Sequence, residues 1–346
     1  MNKNNNNGRD LISILSAAFA AVIAVTLILY GVIAFVSFGL PAIREKNGTA
    51  PSREASSEAP ENEGSTDDAE SASKTTEEVI AIRTTEAPPE TVKRDDDREI
   101  ESLTQERVDV IGMDYSTEVV DFTTEGERDA NNRPVAVNEF MTTMRADGVY
   151  ATCYASDSDT KKVAFTFEAA EETGHTEEVL NILDNYSIKS TFYVTHKYAA
   201  NNADLMRRMI SDGHELGNHS YTCPDTGVAA LSLEDVMRDA VNMQNYLQQA
   251  YSYKMTKYNF NAGKYSEASA VLLSEMGYEI CFYSAAYADA DPEQDFDAEA
   301  TLESLKSMLH PGAVYCFHMT NPITAQVLPA LIEYCKSEGY TITQLD

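Results

Sequence analysis

The string Gly213-His214-Glu215-Leu216-Gly217-Asn218-His219-Ser220-Tyr221-Thr222-Cys223-Pro224 lies near the middle of a regular rhythm of short apolar runs and amphipathic runs. It begins as a strand-like piece and ends in polar residues. After it comes Ser232-Leu233-Glu234-Asp235, a capping box ahead of Val236, Met237, Ala240, Val241 and Leu247 at helical spacing. Working outward in both directions, strand candidates cover 163–167, 190–194, 214–217, 257–261, 279–283, 313–317 and 341–345. Helical patterns fall between them at 176–185, 267–276, 298–308 and 324–336. Nearly continuous apolar strands alternating with helices predict a parallel sheet covered by helices, either doubly wound or closed into a barrel. In both architectures ligands meet the C-terminal ends of the strands.

The residues at those ends are therefore the candidate site. They are Phe167-Glu168-Ala169-Ala170, the string ending in His219 and Cys223, Tyr258-Asn259-Phe260-Asn261, Phe282-Tyr283-Ser284-Ala285-Ala286, and Cys316-Phe317-His318. His219 and Cys223 are four apart, a spacing that places both on one side of a turn, and imidazole with thiolate suits zinc. Asn259 and Asn261 offer amide hydrogen bonds to a ligand, and Tyr258, Phe260, Tyr265, Tyr283 and Tyr287 offer it ring faces. Core packing accounts for such aromatics equally well. His175, His196 and His310 have no evident partner and read as solvent-facing or capping residues.

With Lys189-Ser190-Thr191-Phe192-Tyr193-Val194, these segments resemble the polysaccharide deacetylase (NodB-homology) family in its spore-former-type branch, in order and at the family's spacing over residues 160–346. The resemblance implies an α/β fold, a deformed seven-stranded (β/α) barrel. It implies removal of N-acetyl groups from chitin-like or peptidoglycan sugars with a divalent metal. Amide hydrolysis needs a polarised carbonyl and an activated water, which such a metal supplies, plus a carboxylate base and a histidine acid. The family's catalytic acid falls on Glu168, its metal-binding aspartate on Ala169, and its metal histidines on His219 and Cys223. Its orienting arginine falls on Asn259 and the adjacent proline on Asn261. The acid that tunes the last histidine falls on Ala286. His318 alone stands where the family has the same residue, and it lacks its partners in this frame. Glu171 and Glu172 replace a Trp-Gly pair. The resemblance therefore implies a degenerate site.

The rest of the chain gives it a setting. The chain has 346 residues and a net charge of -30, with -9 between residues 44 and 107 and -22 from 108 onward. An acidic globular part repels nucleic acid and anionic lipid. After a short tail (1–10), residues 11–40 carry no charge and are almost wholly apolar, which predicts an uncleaved transmembrane helix. Positive charges on both flanks leave orientation undecided. Residues 41–107 are rich in Ser, Thr, Glu, Asp, Ala and Pro and read as a disordered, self-repelling stalk. A stalk of that kind fits a domain held outside the membrane, toward a cell wall. Residues 108–159 read as a small lead-in, with a helix over about 137–145, from which no function follows. The five cysteines show no CxxC spacing and read as buried free thiols, Cys223 apart.

Three readings follow. The first is an anchored, extracytoplasmic pseudo-deacetylase that binds cell-wall glycan or a cell-surface protein and has no resident metal. The second is an active N-deacetylase using zinc or another divalent ion on a rearranged Glu168, His219 and Cys223 set. The third is a scaffold in a membrane complex. Glu168 and His318 are the catalytic candidates, and Asn259, Asn261, Tyr265 and Tyr283 the groove candidates.

Overall fold

The computed structural model describes residues 99–156 and 160–345. The expected membrane span (11–40) and most of the stalk lie outside the described residues. Among the described residues no helix is long and apolar enough to cross a membrane.

The chain first forms helix α1 (Gln105–Asp114), capped by Thr104, whose hydroxyl accepts from Arg107 N. It begins three residues before the expected lead-in boundary. Strand β1 (Val120–Asp121), helix α2 (Val135–Ala146) and strand β2 (Ala151–Thr152) follow. The alternating units then begin: β3 (Lys162–Ala169), α3 (Thr176–Asn185), β4 (Thr191–Val194), the helix pair α4 (His196–Asn201) and α5 (Ala203–Ser211), and β5 (Glu215–Asn218). Next come α6 (Leu233–Tyr251), β6 (Lys257–Tyr258), β7 (Lys264–Tyr265), α7 (Glu267–Glu275), β8 (Glu279–Cys281) and β9 (Ala285–Ala286). The chain closes with α8 (Ala298–Ser307), β10 (Val314–His318), α9 (Ile323–Ser337) and β11 (Thr341–Ile342). The predicted capping box is formed in part: Ser232 accepts from Asp235 N and opens α6.

The expected strands appear, several of them shorter than predicted, and run parallel in the order β2-β8-β6-β5-β4-β3-β10-β9, with β11 added beside β3. The result is an open parallel half-barrel. Alternation along β3 explains why it is apolar almost throughout. Val163, Phe165 and Phe167 belong to the large core under the helices. Ala164, between them, joins Tyr193, Cys281, Val314 and Leu345 in a smaller cluster on the opposite, concave face. Gly217 on β5 is where Tyr193 crosses that face, and a Cβ there would stand 2.4 Å from Tyr193 Cδ1.

The lead-in is part of the same body. β2 extends the sheet beside β8, and β1 pairs antiparallel with β7. Phe122 stacks on Phe282 at 4.2 Å and meets Tyr283 edge-on at 5.3 Å. Upstream, Glu101 N donates to Met276 O (2.9 Å), and Lys254 pairs with Glu99 (3.2 Å), just before β8 and β6 begin.

At the N-terminal ends of the strands the concave face carries charge. Lys257 Nζ lies 2.7 Å from Glu279 Oε2, both side chains are nearly solvent-free, and Thr152 Oγ1 donates to Glu279 Oε1. Glu215 is buried in the same layer. A pair this deep holds its charges only because each answers the other.

Candidate active site

The opposite, C-terminal rim gathers the candidate residues. Parallel pairing sets His318, the last residue of β10, beside Glu168 near the end of β3. His219 follows β5 directly and is fixed by its N–H donating to Val194 O (3.1 Å). The three side chains meet at one oxygen: Glu168 Oε2 lies 3.2 Å from His318 Nε2 and 3.5 Å from His219 Nε2. Glu168 Oε1 accepts from the Cys316 thiol at 3.4 Å.

His318 has a partner that the family frame placed elsewhere. The tuning acid was expected at Ala286, which bears no acid. Asp289, three residues further on, supplies it. Its Oδ1 lies 2.7 Å from His318 Nδ1, and its Oδ2 accepts from His318 N (3.1 Å) and Thr324 Oγ1 (2.8 Å). His318 is thus held in orientation by a buried carboxylate rather than left as an unsupported relic. The acidic run Tyr287-Ala288-Asp289-Ala290-Asp291 carried this signal, but only the loop after β9 reveals which acid turns inward.

The charges follow from burial and neighbours. Burial resists a charged His318, but Glu168 and Asp289 outweigh it and raise its pKa to about 10. Burial likewise opposes ionisation of Glu168, yet the charge and hydrogen bond of His318, with the Cys316 thiol, hold its carboxyl well below the usual carboxylate range. His219 is pushed down by burial, against the pull of Glu168. The cation that faces Glu168 is therefore His318. His219 Nδ1 lies 3.1 Å from Asn259 O. A neutral ring donating there presents a lone pair at Nε2, so its 3.5 Å approach to Glu168 is a contact rather than a hydrogen bond.

The groove candidates divide. Asn259 is buried; its Nδ2 donates to Cys281 O (3.0 Å) and its backbone supports His219, so it lies beneath the site. Asn261 is not free for a ligand: its Oδ1 accepts from Val228 N (2.8 Å) and its Nδ2 donates to Pro224 O (2.7 Å). Tyr265 packs edge-on against Phe140 (5.1 Å) and pairs with Val120, inside the lead-in contact. Tyr258 and Phe260 are wholly buried core. Tyr283 stays at the rim, packed against Phe122, with its phenol pushed well up by burial and by the nearby Cys316 and Glu168. His310, read as solvent-facing or capping, is instead buried against Tyr154.

The family implies a divalent metal, and the residues can be tested for it. Ala169 has no donor atom. Glu168 is engaged by His318. Among the described residues no group of three or more His, Cys, Asp or Glu is arranged to hold a metal ion. These residues do not fit the group.

Residues 155–281 match the family described as Polysaccharide deacetylase. The peptidoglycan-N-acetylmuramic acid deacetylase PdaA of Bacillus subtilis is 29% identical over 204 residues, 57% of this chain and 74% of that protein. The solved structure of Bacillus subtilis PdaA, a family 4 carbohydrate esterase, superposes with a TM-score of 0.61 at 22% identity, covering 67% of this chain and 97% of that one. A family 4 pseudoenzyme from Bacillus anthracis superposes at 0.52 with 19% identity, over 56% and 67% of the two chains. Strand order and the family match agree: the chain carries a polysaccharide deacetylase domain, matched over residues 155–281.

Proposed function

We propose that this protein binds N-acetylated cell-wall glycan at the C-terminal rim of its half-barrel without turning it over by the family's metal-dependent route. One observation carries the reading: Glu168, the sole carboxylate at the paired acid positions, is paired with His318 and in contact with His219, with Ala169 beside it. A carboxyl held at about 2 is a weak base for drawing a proton from water. Relatives that act on peptidoglycan, and a relative described as a pseudoenzyme, support the ligand class and the loss of turnover. The uncharged run at 11–40 and the acidic stretch after it support a single-pass anchor with the domain outside the membrane.

A second reading has its own observation. The Asp289–His318 pair is what a general acid for amine departure requires, and it favours an active N-deacetylase. The test uses full-length protein in detergent micelles. Titration calorimetry with N-acetylglucosamine oligomers and with N-acetylmuramic acid-containing glycan strands is run beside amine release and elemental analysis. Binding with no amine released and no stoichiometric metal is the expected result. Amine release dependent on bound zinc replaces this reading with the second, and no glycan binding leaves a scaffold.

A further inference from the structure

The loop that delivers His219 to Glu168 is held from behind by a residue with no place in the cluster itself. Asp239 lies in the second turn of α6 and is buried. Its carboxylate accepts four hydrogen bonds, all from three consecutive loop residues. Oδ1 takes Tyr221 N (2.9 Å), and Oδ2 takes Thr222 N (2.7 Å), Thr222 Oγ1 (2.6 Å) and Ser220 Oγ (3.1 Å). Ser220 Oγ in turn accepts Cys223 N at 2.7 Å. One side chain thereby fixes the backbone on both sides of the turn that links His219 to Cys223.

That turn does not hold itself. Ser220 and Cys223 have φ of 83° and 43°, a region that costs a residue with a side chain about 1–3 kcal/mol and persists only where the surroundings enforce it. The enforcing group is Asp239, since a buried carboxylate left without these donors would bear the full penalty of desolvation. Asn261 closes the far end through Pro224 O and Val228 N, and Asn218 Oδ1 closes the near end through Ser220 N (2.9 Å). His318 depends on none of these contacts, because Asp289 comes from the loop after β9.

We propose that Asp239 is a positioning residue of the site, which sets the distance and angle at which His219 faces Glu168 while touching neither. This rests on reading the strand-end cluster as the glycan site. A purely structural role predicts lower stability and nothing selective at one imidazole. A positioning role predicts that His219 moves while His318 stays.

The test is histidine-selective 13C labelling of the full-length protein, with ring cross-peaks of the six histidines assigned by substitution. Asp239→Asn keeps the shape but reverses the hydrogen-bonding sense at one atom. Thr222→Val removes one donor and leaves the backbone intact. The expected result is displacement or doubling of the His219 cross-peak in both variants, larger in Asp239→Asn, with His318 unmoved. Affinity for N-acetylglucosamine oligomers falls about tenfold or more in Asp239→Asn, as displacement of a positioned group predicts. Unchanged His219 signals in a destabilised protein would overturn the proposal, as would His219 and His318 shifting together. If the wild type binds no glycan, the functional reading fails, while the cross-peaks still decide the role of Asp239.

Discussion

Replacing Lys257 by Met puts the charged floor of the half-barrel to a quantitative test. At 2.7 Å and an effective dielectric of 20, the attraction to Glu279 is about 6 kcal/mol, roughly what desolvating the two ions costs. The pair is therefore close to break-even against an apolar isostere. Removing one member is another matter. Lys257→Met leaves Glu279 almost solvent-free without its ammonium partner, which costs about 3–5 kcal/mol. At about 2–4 °C per kcal/mol for a domain of this size, the melting temperature should drop by roughly 6–20 °C. The double variant Lys257→Met with Glu279→Leu should recover most of that loss. Circular dichroism melts of the wild type, both single variants and the double complete the cycle. A single variant within about 1 kcal/mol of wild type, or a double less stable than either single, would refute the argument.

Three further outcomes follow from geometry already described. His318 is raised to about 10, so the stability it contributes is complete below about 6.5 and is lost as pH rises through about 10. Asp289→Ala should bring that loss to lower pH, visible as a shifted alkaline limb in melting temperature against pH; an unmoved limb would disconnect Asp289 from His318. Gly217→Ala should destabilise by about 1–3 kcal/mol because its Cβ meets the Tyr193 ring at 2.4 Å, and Tyr193→Leu in the same chain should restore most of it. Phe122→Ala should cost about 1–3 kcal/mol and speed proteolytic cleavage near β1, since the stack on Phe282 secures that segment; an unaltered cleavage rate would mean that the β1–β7 pairing alone suffices.

Most of the sheet could be read in advance because its strands are buried on both faces and so appear as unbroken apolar runs. The helix over 176–185 and the start of α6 were equally plain from period and cap. What escaped notice depends on partners distant in sequence. β2 and β9 are two residues each and exist only through pairing with β8 and β10. The pair α4 and α5 is split at Asn201–Asn202 into pieces too short to announce themselves. At the site, Glu168, His219 and His318 were legible as strand-end residues. Asp289 was not, because only the folded loop after β9 turns it, three residues past the expected position, onto His318. Asn261 looked like a ligand-facing amide until Pro224 and Val228 were seen to occupy both of its ends.

The contacts of Glu99 and Glu101 with Lys254 and Met276 give the domain a direction. They lie where parallel strands begin, whereas Glu168, His219 and His318 lie where those strands end. The chain therefore enters the domain at its base, and its chemical mouth opens on the far side. A load carried along the chain from Glu99 would reach the strand starts first, on the side away from the site. Within the described residues, the point where the chain enters and the point of access to the site are thus at opposite ends of the strands.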